Sequence, residues 1–258
     1  MSTETRQDPP PGARPSPGGG APAAAHAPPF ERIVFDCDST LARIEGIEEL
    51  AGAHKDEIAR LTEQAMTGEV PLEEVYARRL EITRPLRTQV ALVGRRYIET
   101  AIPQAREVMA ALKMLGKELR IVSGGLRLPV VTFAGWLGIE DSHVHAVQVW
   151  FDSDHRIARF ERENPLTRSG GKQQVLAGLP KKRTVVVGDG MTDAEAAEAA
   201  DCFVCFTGVV ERPGVAKRAH VVVRGPSARE LLPALCSPAE LELLARDARH
   251  GKLVTPQF

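Results

Sequence analysis

Aromatic side chains are scarce: two Trp, two Tyr and eight Phe stand among 258 residues. With a formal net charge of -1, the chain offers neither the stacking platforms nor the basic stripe that nucleic-acid binding requires. No apolar run reaches the ~18–20 residues of a membrane-spanning helix. The four cysteines, Cys37, Cys202, Cys205 and Cys236, are too few and too scattered for a disulfide framework in a chain this long. Cys202 and Cys205 form a C-x-x-C, but they lie in the apolar run Cys202-Phe203-Val204-Cys205-Phe206. A buried strand of that kind uses cysteine as a small hydrophobe rather than as a redox or zinc ligand. The expectations are therefore a reducing cytoplasm, no membrane and no nucleic-acid partner. The remaining composition, 43% hydrophobic and 26% charged, suits one sizeable core with a smaller second unit.

Residues 1–29 are dominated by Pro, Gly and Ala. They are expected to form a disordered tail, because such a stretch cannot offset its ordering entropy, and they lack the apolar segment of a secretory signal. From Glu31 onward strands and helices alternate, which predicts a doubly wound α/β fold with a parallel sheet and helices on both faces. The strand candidates are Arg32–Phe35, Leu119–Val122, Thr184–Val187, Cys202–Phe206 and His220–Val223. Pro103 and Gly116 bracket a helix over Gln104–Leu115. Alternation from Ala146 to Phe160, broken at Asp152-Ser153-Asp154-His155, predicts a hairpin. His143 and His145 read as surface or packing histidines rather than ligands. Residues 43–102 are rich in Glu, Arg, Ala and Leu at helical spacing and contain no strand. They predict a helical cap inserted after the first strand, over the carboxyl edge of the core formed by 30–42 and 103–258. A peripheral helix is expected after Ser237.

Chemistry collects at the ends of these strands. Asp36-Cys37-Asp38-Ser39-Thr40 follows the first one, placing two carboxylates where open α/β sheets bind ligands. Two acids this close repel one another, and a divalent cation with a taste for oxygen ligands, Mg²⁺, would reverse that cost; a solvated acidic turn is the plainer alternative. Ser123-Gly124-Gly125 follows the second strand and allows backbone N–H groups close to an anion. Gly188-Asp189-Gly190-Met191-Thr192-Asp193 is a second acid pair at a strand end. Lys172 stands at a predicted helix start, where the macrodipole disfavours a cation unless an anion is near.

An acid pair, a small hydroxyl, a lysine and a second acid pair, in that order, resemble the haloacid dehalogenase-type phosphatases, over roughly Glu31 to Leu235. That resemblance implies a catalytic set of Asp36, Asp38, Ser123 and Lys172. It implies a metal set of Asp36, Asp38 (through its backbone carbonyl) and Asp189, with Asp193 anchoring the metal from outside. Within the superfamily, the cap segment is similar to the phosphoserine phosphatase family through Glu45-Gly46-Ile47-Glu48-Glu49-Leu50-Ala51, Ala65-Met66-Thr67-Gly68, Val70-Pro71-Leu72 and Arg78-Arg79-Leu80. The implied substrate residues are Glu45, Met66, Arg79, Ser123, Gly124, Lys172 and Thr192. The implied activity is Mg²⁺-dependent hydrolysis of O-phospho-L-serine through an aspartyl phosphate. Such a substrate carries a carboxylate and an ammonium besides its phosphate, and Arg79 and Glu45 suit these two groups. Without the resemblance, both would read as exposed helix residues.

Two departures accompany the match. Thr192 stands where many relatives have Asn, which keeps a hydrogen-bonding group. The Pro-rich start is also expected to supply no folded amino-acid-sensing domain such as many bacterial relatives carry. Rival readings are a phosphatase or phosphotransferase for another small phosphorylated metabolite and, from a different class, a catalytically silent ligand-binding module. The oligomeric state leaves no trace in the sequence.

Overall fold

The structure, a computed structural model, describes residues 26–254. Its core is a six-stranded parallel sheet centred on β1 (Arg32–Phe35). This strand pairs with β2 (Glu118–Leu126) on one side and β6 (Thr184–Gly188) on the other. β3 (Val144–Val147) lies outside β2, while β7 (Cys202–Phe206) and β8 (Val221–Val223) extend the sheet beyond β6. Every residue of β1, β6 and β7 is buried, as expected of parallel strands covered on both faces. The chain winds outward in opposite directions from β1, so a crevice opens at the carboxyl ends of β1, β2 and β6.

The expected sheet has five strands, and β3 is the sixth. The alternation read as one hairpin divides at Gln148: β3 joins the parallel sheet, and β4 (Val149–Phe151) pairs with β5 (Ile157–Phe160) around the acidic break. Val144, Ala146, Val147 and Val149 are all buried, and a run of that kind fits a sheet edge as well as a hairpin arm. His143 lies in a short turn before β3, and His145 on the strand stands 3.2 Å from the Arg120 guanidinium. The two histidines therefore share no strand face. All four cysteines are free and buried.

Residues 43–102 contain α1 (Lys55–Thr67), α2 (Leu72–Thr83) and α3 (Arg87–Glu99). The connections at the root of this segment bond to each other: Arg43 N–H donates to Thr100 O at 2.9 Å, and Ile102 N–H to Leu41 O at 2.9 Å. Gly94 lets α3 lie close on α5 (Arg127–Trp136), since a Cβ there would stand 2.9 Å from Thr132 Cβ. Tyr97 of α3 stacks on Phe133 of α5, ring centroids 5.6 Å apart. Between these, α4 (Ala105–Met114) falls where the Pro–Gly bracket predicts it. The loop between α2 and α3 is tied to the β4–β5 hairpin, with Arg87 N–H on His155 O at 2.7 Å.

The remaining helices are α6 (Gly171–Ala177), α7 (Met191–Ala196), α8 (Pro213–Ala216), α9 (Leu232–Leu235) and α10 (Pro238–Arg246). Ser237 caps α10, and Lys117 Nζ holds that helix through Glu240 Oε1 at 2.7 Å. The tail expectation falls mostly on residues 1–25, outside the described residues; His26, just beyond them, stacks on His220 at 3.8 Å. Among the described residues, no helix is long and apolar enough to cross a membrane.

One electrostatic knot fastens the sheet at its amino end. Glu118 accepts from Arg32 at 2.9 Å, Arg120 at 2.5 Å and Lys182 at 2.6 Å. Burial alone would raise its pKa, but Arg32, Lys182 and Arg120 together hold the carboxyl well below the usual carboxylate range. A depressed pKa contributes stability that is full above the unfolded value of about 4.3 and is lost as pH falls below it. Glu118→Gln is accordingly expected to cost about 1–3 kcal/mol at pH 7. The gap from the parent protein should narrow below about pH 4. Urea unfolding at both pH values checks this.

Candidate active site

The chain turns sharply after β1. Asp36 N–H still donates to Val187 O at 2.9 Å, so the first carboxylate leaves from the sheet itself. Ser39 then takes a left-handed conformation with φ 48°. Its N–H bonds Ile44 O at 3.1 Å, and its hydroxyl donates to Glu45 Oε1 at 2.7 Å, folding Glu45 back toward the acid pair. Asp38 Oδ1 accepts from Gly46 N–H at 2.6 Å and from the Tyr97 hydroxyl at 2.8 Å. Burial first, and then the neighbouring Asp36 charge, push the Asp38 carboxyl up to about 6.

β2 does not end at Val122, where the sequence reading stops it. It continues through Ser123, Gly124 and Gly125 to Leu126 with an irregular register against β3. Two glycines let the strand deform while still hydrogen-bonding. Ser123 is buried, and its Oγ accepts from Gly125 N–H at 3.0 Å.

Lys172 lies in the first turn of α6 and is buried. The anion its position calls for is present twice: Nζ stands 2.8 Å from both Asp36 Oδ1 and Asp193 Oδ1. Burial alone would lower the lysine pKa, yet Asp193 and Asp36 outweigh it and hold the ammonium charged. Asp193, in the first turn of α7, also accepts from Gly190 N–H at 3.1 Å. Asp36, Asp189 and Asp193 are all buried, and each has a carboxylate oxygen within 4.8 Å of the others'. Burial, with Asp36 as a further contributor, raises Asp189 to about 6 and Asp193 to about 7. Three buried carboxylates this close together fit a hard divalent cation with oxygen ligands. The Asp38 side chain is not part of this cluster.

A second ring of residues forms the outer part of the same cavity. Asp36, Asp38, Glu45, Met66, Arg79, Ser123, Gly124, Lys172 and Thr192 all line it, between apolar walls that include Ile47, Leu50, Leu72, Leu80 and Leu166. Asp189 and Asp193 stand directly behind Asp36 and Lys172. Arg79 is buried. It donates to Thr62 Oγ1 at 3.3 Å and lies 5.6 Å from the Tyr76 ring centroid. No carboxylate of the described residues pairs with it within 4.0 Å, and burial lowers its pKa. Glu45 is affected in the complementary way: burial, followed by Asp38 and Asp189, raises its carboxyl well above the ordinary value.

Several site residues escaped the sequence reading. Tyr76 donates its hydroxyl to Gly124 O at 2.9 Å, bridging α2 to the Ser-Gly-Gly segment. Its signal was available, since a residue three before Arg79 shares that helix face. Thr40 Oγ1 donates to Asp189 Oδ1 at 2.8 Å. Arg212, in the loop before α8, hydrogen-bonds the other Asp189 oxygen and pairs with Glu63 of α1 at 3.2 Å. Neither Arg212 nor Tyr97 has a local pattern that marks it, because each reaches the site from a distant stretch of chain.

Fold and site together define a hydrolase of the phosphoryl-transfer kind. The family model for haloacid dehalogenase-like hydrolases matches residues 30–201. The phosphoserine phosphatase of Bos taurus is 35% identical over 196 residues, covering 74% of this chain and 87% of the relative. That of Drosophila melanogaster is 34% identical over 198 residues, covering 74% and 73%. A phosphoserine phosphohydrolase-like protein from Francisella tularensis superposes with a TM-score of 0.72 at 26% identity, over 78% of this chain and 98% of that one. The chain belongs to the haloacid dehalogenase-like hydrolase family, on the branch of its phosphoserine phosphatases.

Proposed function

We propose that the protein is a Mg²⁺-dependent phosphatase that converts O-phospho-L-serine to L-serine and phosphate. The observation that carries this reading is the presence, in one cavity, of a phosphoryl-handling set and a buried arginine that no carboxylate of the described residues pairs with within 4.0 Å. A buried charge left unpaired costs several kcal/mol, so its retention points to a ligand that brings the missing anion. Glu45, whose carboxyl is raised well above its ordinary value by burial and by Asp38 and Asp189, suits an ammonium. Phosphoserine supplies the carboxylate, the ammonium and the phosphate together.

In this reading, an Asp36 carboxylate oxygen attacks phosphorus in line with the serine oxygen, and the aspartyl phosphate divides one hard displacement into two easier ones. Asp38 gives its proton to the departing serine oxygen and later takes one from the attacking water. Ser123, the Gly124 amide and Lys172 hold the phosphoryl oxygens while charge moves among them. Asp36, Asp189 and the Asp38 backbone carbonyl would hold Mg²⁺, with Asp193 anchoring the assembly through Lys172 and Gly190. When bound, the ion supplies neutralisation of the phosphoryl charge. Thr192 and Met66 complete the substrate pocket beside the second acid loop.

Phosphate release from L-phosphoserine, with Mg²⁺ and then with EDTA, tests the reading. Activity is expected to fall at least tenfold with EDTA, and glycerol phosphate is expected to be a poorer substrate by a similar margin. Equal turnover of every phosphomonoester in a panel would reject phosphoserine as the substrate.

A further inference from the structure

Asp38 is asymmetrically held. Both of its neighbouring donors, the Gly46 amide at 2.6 Å and the Tyr97 hydroxyl at 2.8 Å, point at Oδ1. The other oxygen, Oδ2, faces the Ser123–Gly125 segment, where a Cβ built on Gly125 would lie 3.3 Å from it. Tyr97 is almost wholly buried, stacked on Phe133, and carried by the helix that lies closest on α5. Its hydroxyl is thus fixed to the core side of the molecule rather than to the α1–α2 part of the cap that bears Met66 and Arg79.

We propose that Tyr97 is a positioning residue for Asp38: by donating to Oδ1 it leaves Oδ2 as the oxygen that carries the transferred proton into the cavity. The proposal rests on the role assigned above to Asp38. A carboxylic acid whose Oδ1 already accepts two hydrogen bonds has its proton on Oδ2. As the oxygen–phosphorus bond to serine breaks, its electron pair stays on the serine oxygen, and that oxygen takes the Oδ2 proton. In the second half, a water proton passes to Oδ2 as the water oxygen bonds phosphorus and the Asp36–phosphorus bond breaks. The acid is thereby restored. Tyr97 exchanges no proton; it sets which oxygen does and where that oxygen points.

The test uses the dependence on leaving group. The alkoxide of glycerol phosphate is a poor leaving group and needs the proton, whereas p-nitrophenolate departs without it, and neither ester carries the carboxylate or ammonium proposed for Arg79 and Glu45. The value of kcat/KM, which reports formation of the aspartyl phosphate, is measured for glycerol phosphate and p-nitrophenyl phosphate. General-acid assistance contributes about 10²–10⁴-fold. Tyr97→Phe, which keeps the ring and its stacking, is expected to lose at least about tenfold more on glycerol phosphate than on the aryl ester. Gly46→Ala provides a second route, because its methyl would collide with the Tyr97 hydroxyl oxygen and push it off Oδ1. The same imbalance is expected there. Equal losses on both esters, or no loss, in both variants would overturn the proposal. Asp38→Asn separates the two levels of argument. If it shows the imbalance and the Tyr97 and Gly46 variants do not, only the positioning role fails; if it shows none, the role of Asp38 itself is wrong.

Discussion

Asp36→Asn is expected to lower kcat on phosphoserine by about 10⁴-fold or more, as removal of a covalent nucleophile does elsewhere. An amide of nearly the same shape cannot attack phosphorus, so the loss should fall on turnover rather than on binding. The fold should survive for a reason visible in the site. Lys172 bonds two carboxylates, and Asp193 remains 2.8 Å from its Nζ when Asp36 is neutral. Removing one of three crowded buried carboxylates also relieves repulsion within the cluster. Thermal unfolding of the variant is therefore expected at or above the parent temperature. A variant that keeps activity within tenfold of the parent would show that another group is the nucleophile.

Arg79→Ala is expected to reduce kcat/KM on phosphoserine by about 10²–10⁴-fold, from two charge-assisted hydrogen bonds worth about 1.5–3 kcal/mol each. p-Nitrophenyl phosphate has no carboxylate, so its loss should stay below about tenfold. Arg79→Lys should recover part of the loss, because an ammonium keeps the charge but not the planar fork. Equal losses on the two substrates would assign Arg79 a purely structural role. Among the described residues Thr62 is the one side chain that hydrogen-bonds the guanidinium, and relief of a buried unpaired charge offsets the lost contact with Tyr76, so thermal unfolding is expected at or above the parent temperature.

What was legible in the sequence follows the range over which each signal acts. β1 and β7 occupy the predicted residues, because a short run of β-branched and aromatic residues buried on both faces has no competing reading. β3 was lost in the alternation of its neighbours, since periodicity cannot say which strand a segment will pair with. By sequence the Ser123-Gly124-Gly125 segment follows the second strand rather than belonging to it. Its continuation as strand depends on the register that β2 adopts against β3. The two acid pairs and the Ser-Gly-Gly segment are legible because each lies at the end of its own strand, whereas Lys172 is marked only by its place at a helix start. The roles proposed for Glu45 and Arg79 needed a family resemblance, because charged residues on amphipathic helices look alike until something covers them.

The residues themselves determined that two acid pairs and a hydroxyl–glycine segment would arrive at one edge of a parallel sheet. Strand ends in such a sheet point the same way whatever lies between them. Which groups touch was decided only by tertiary packing. Arg212 on Asp189, Tyr76 on Gly124 and Tyr97 on Asp38 join residues 23, 48 and 59 positions apart. A hydrogen bond over that span depends on how helices dock, and docking is a property of the whole core that no local pattern encodes.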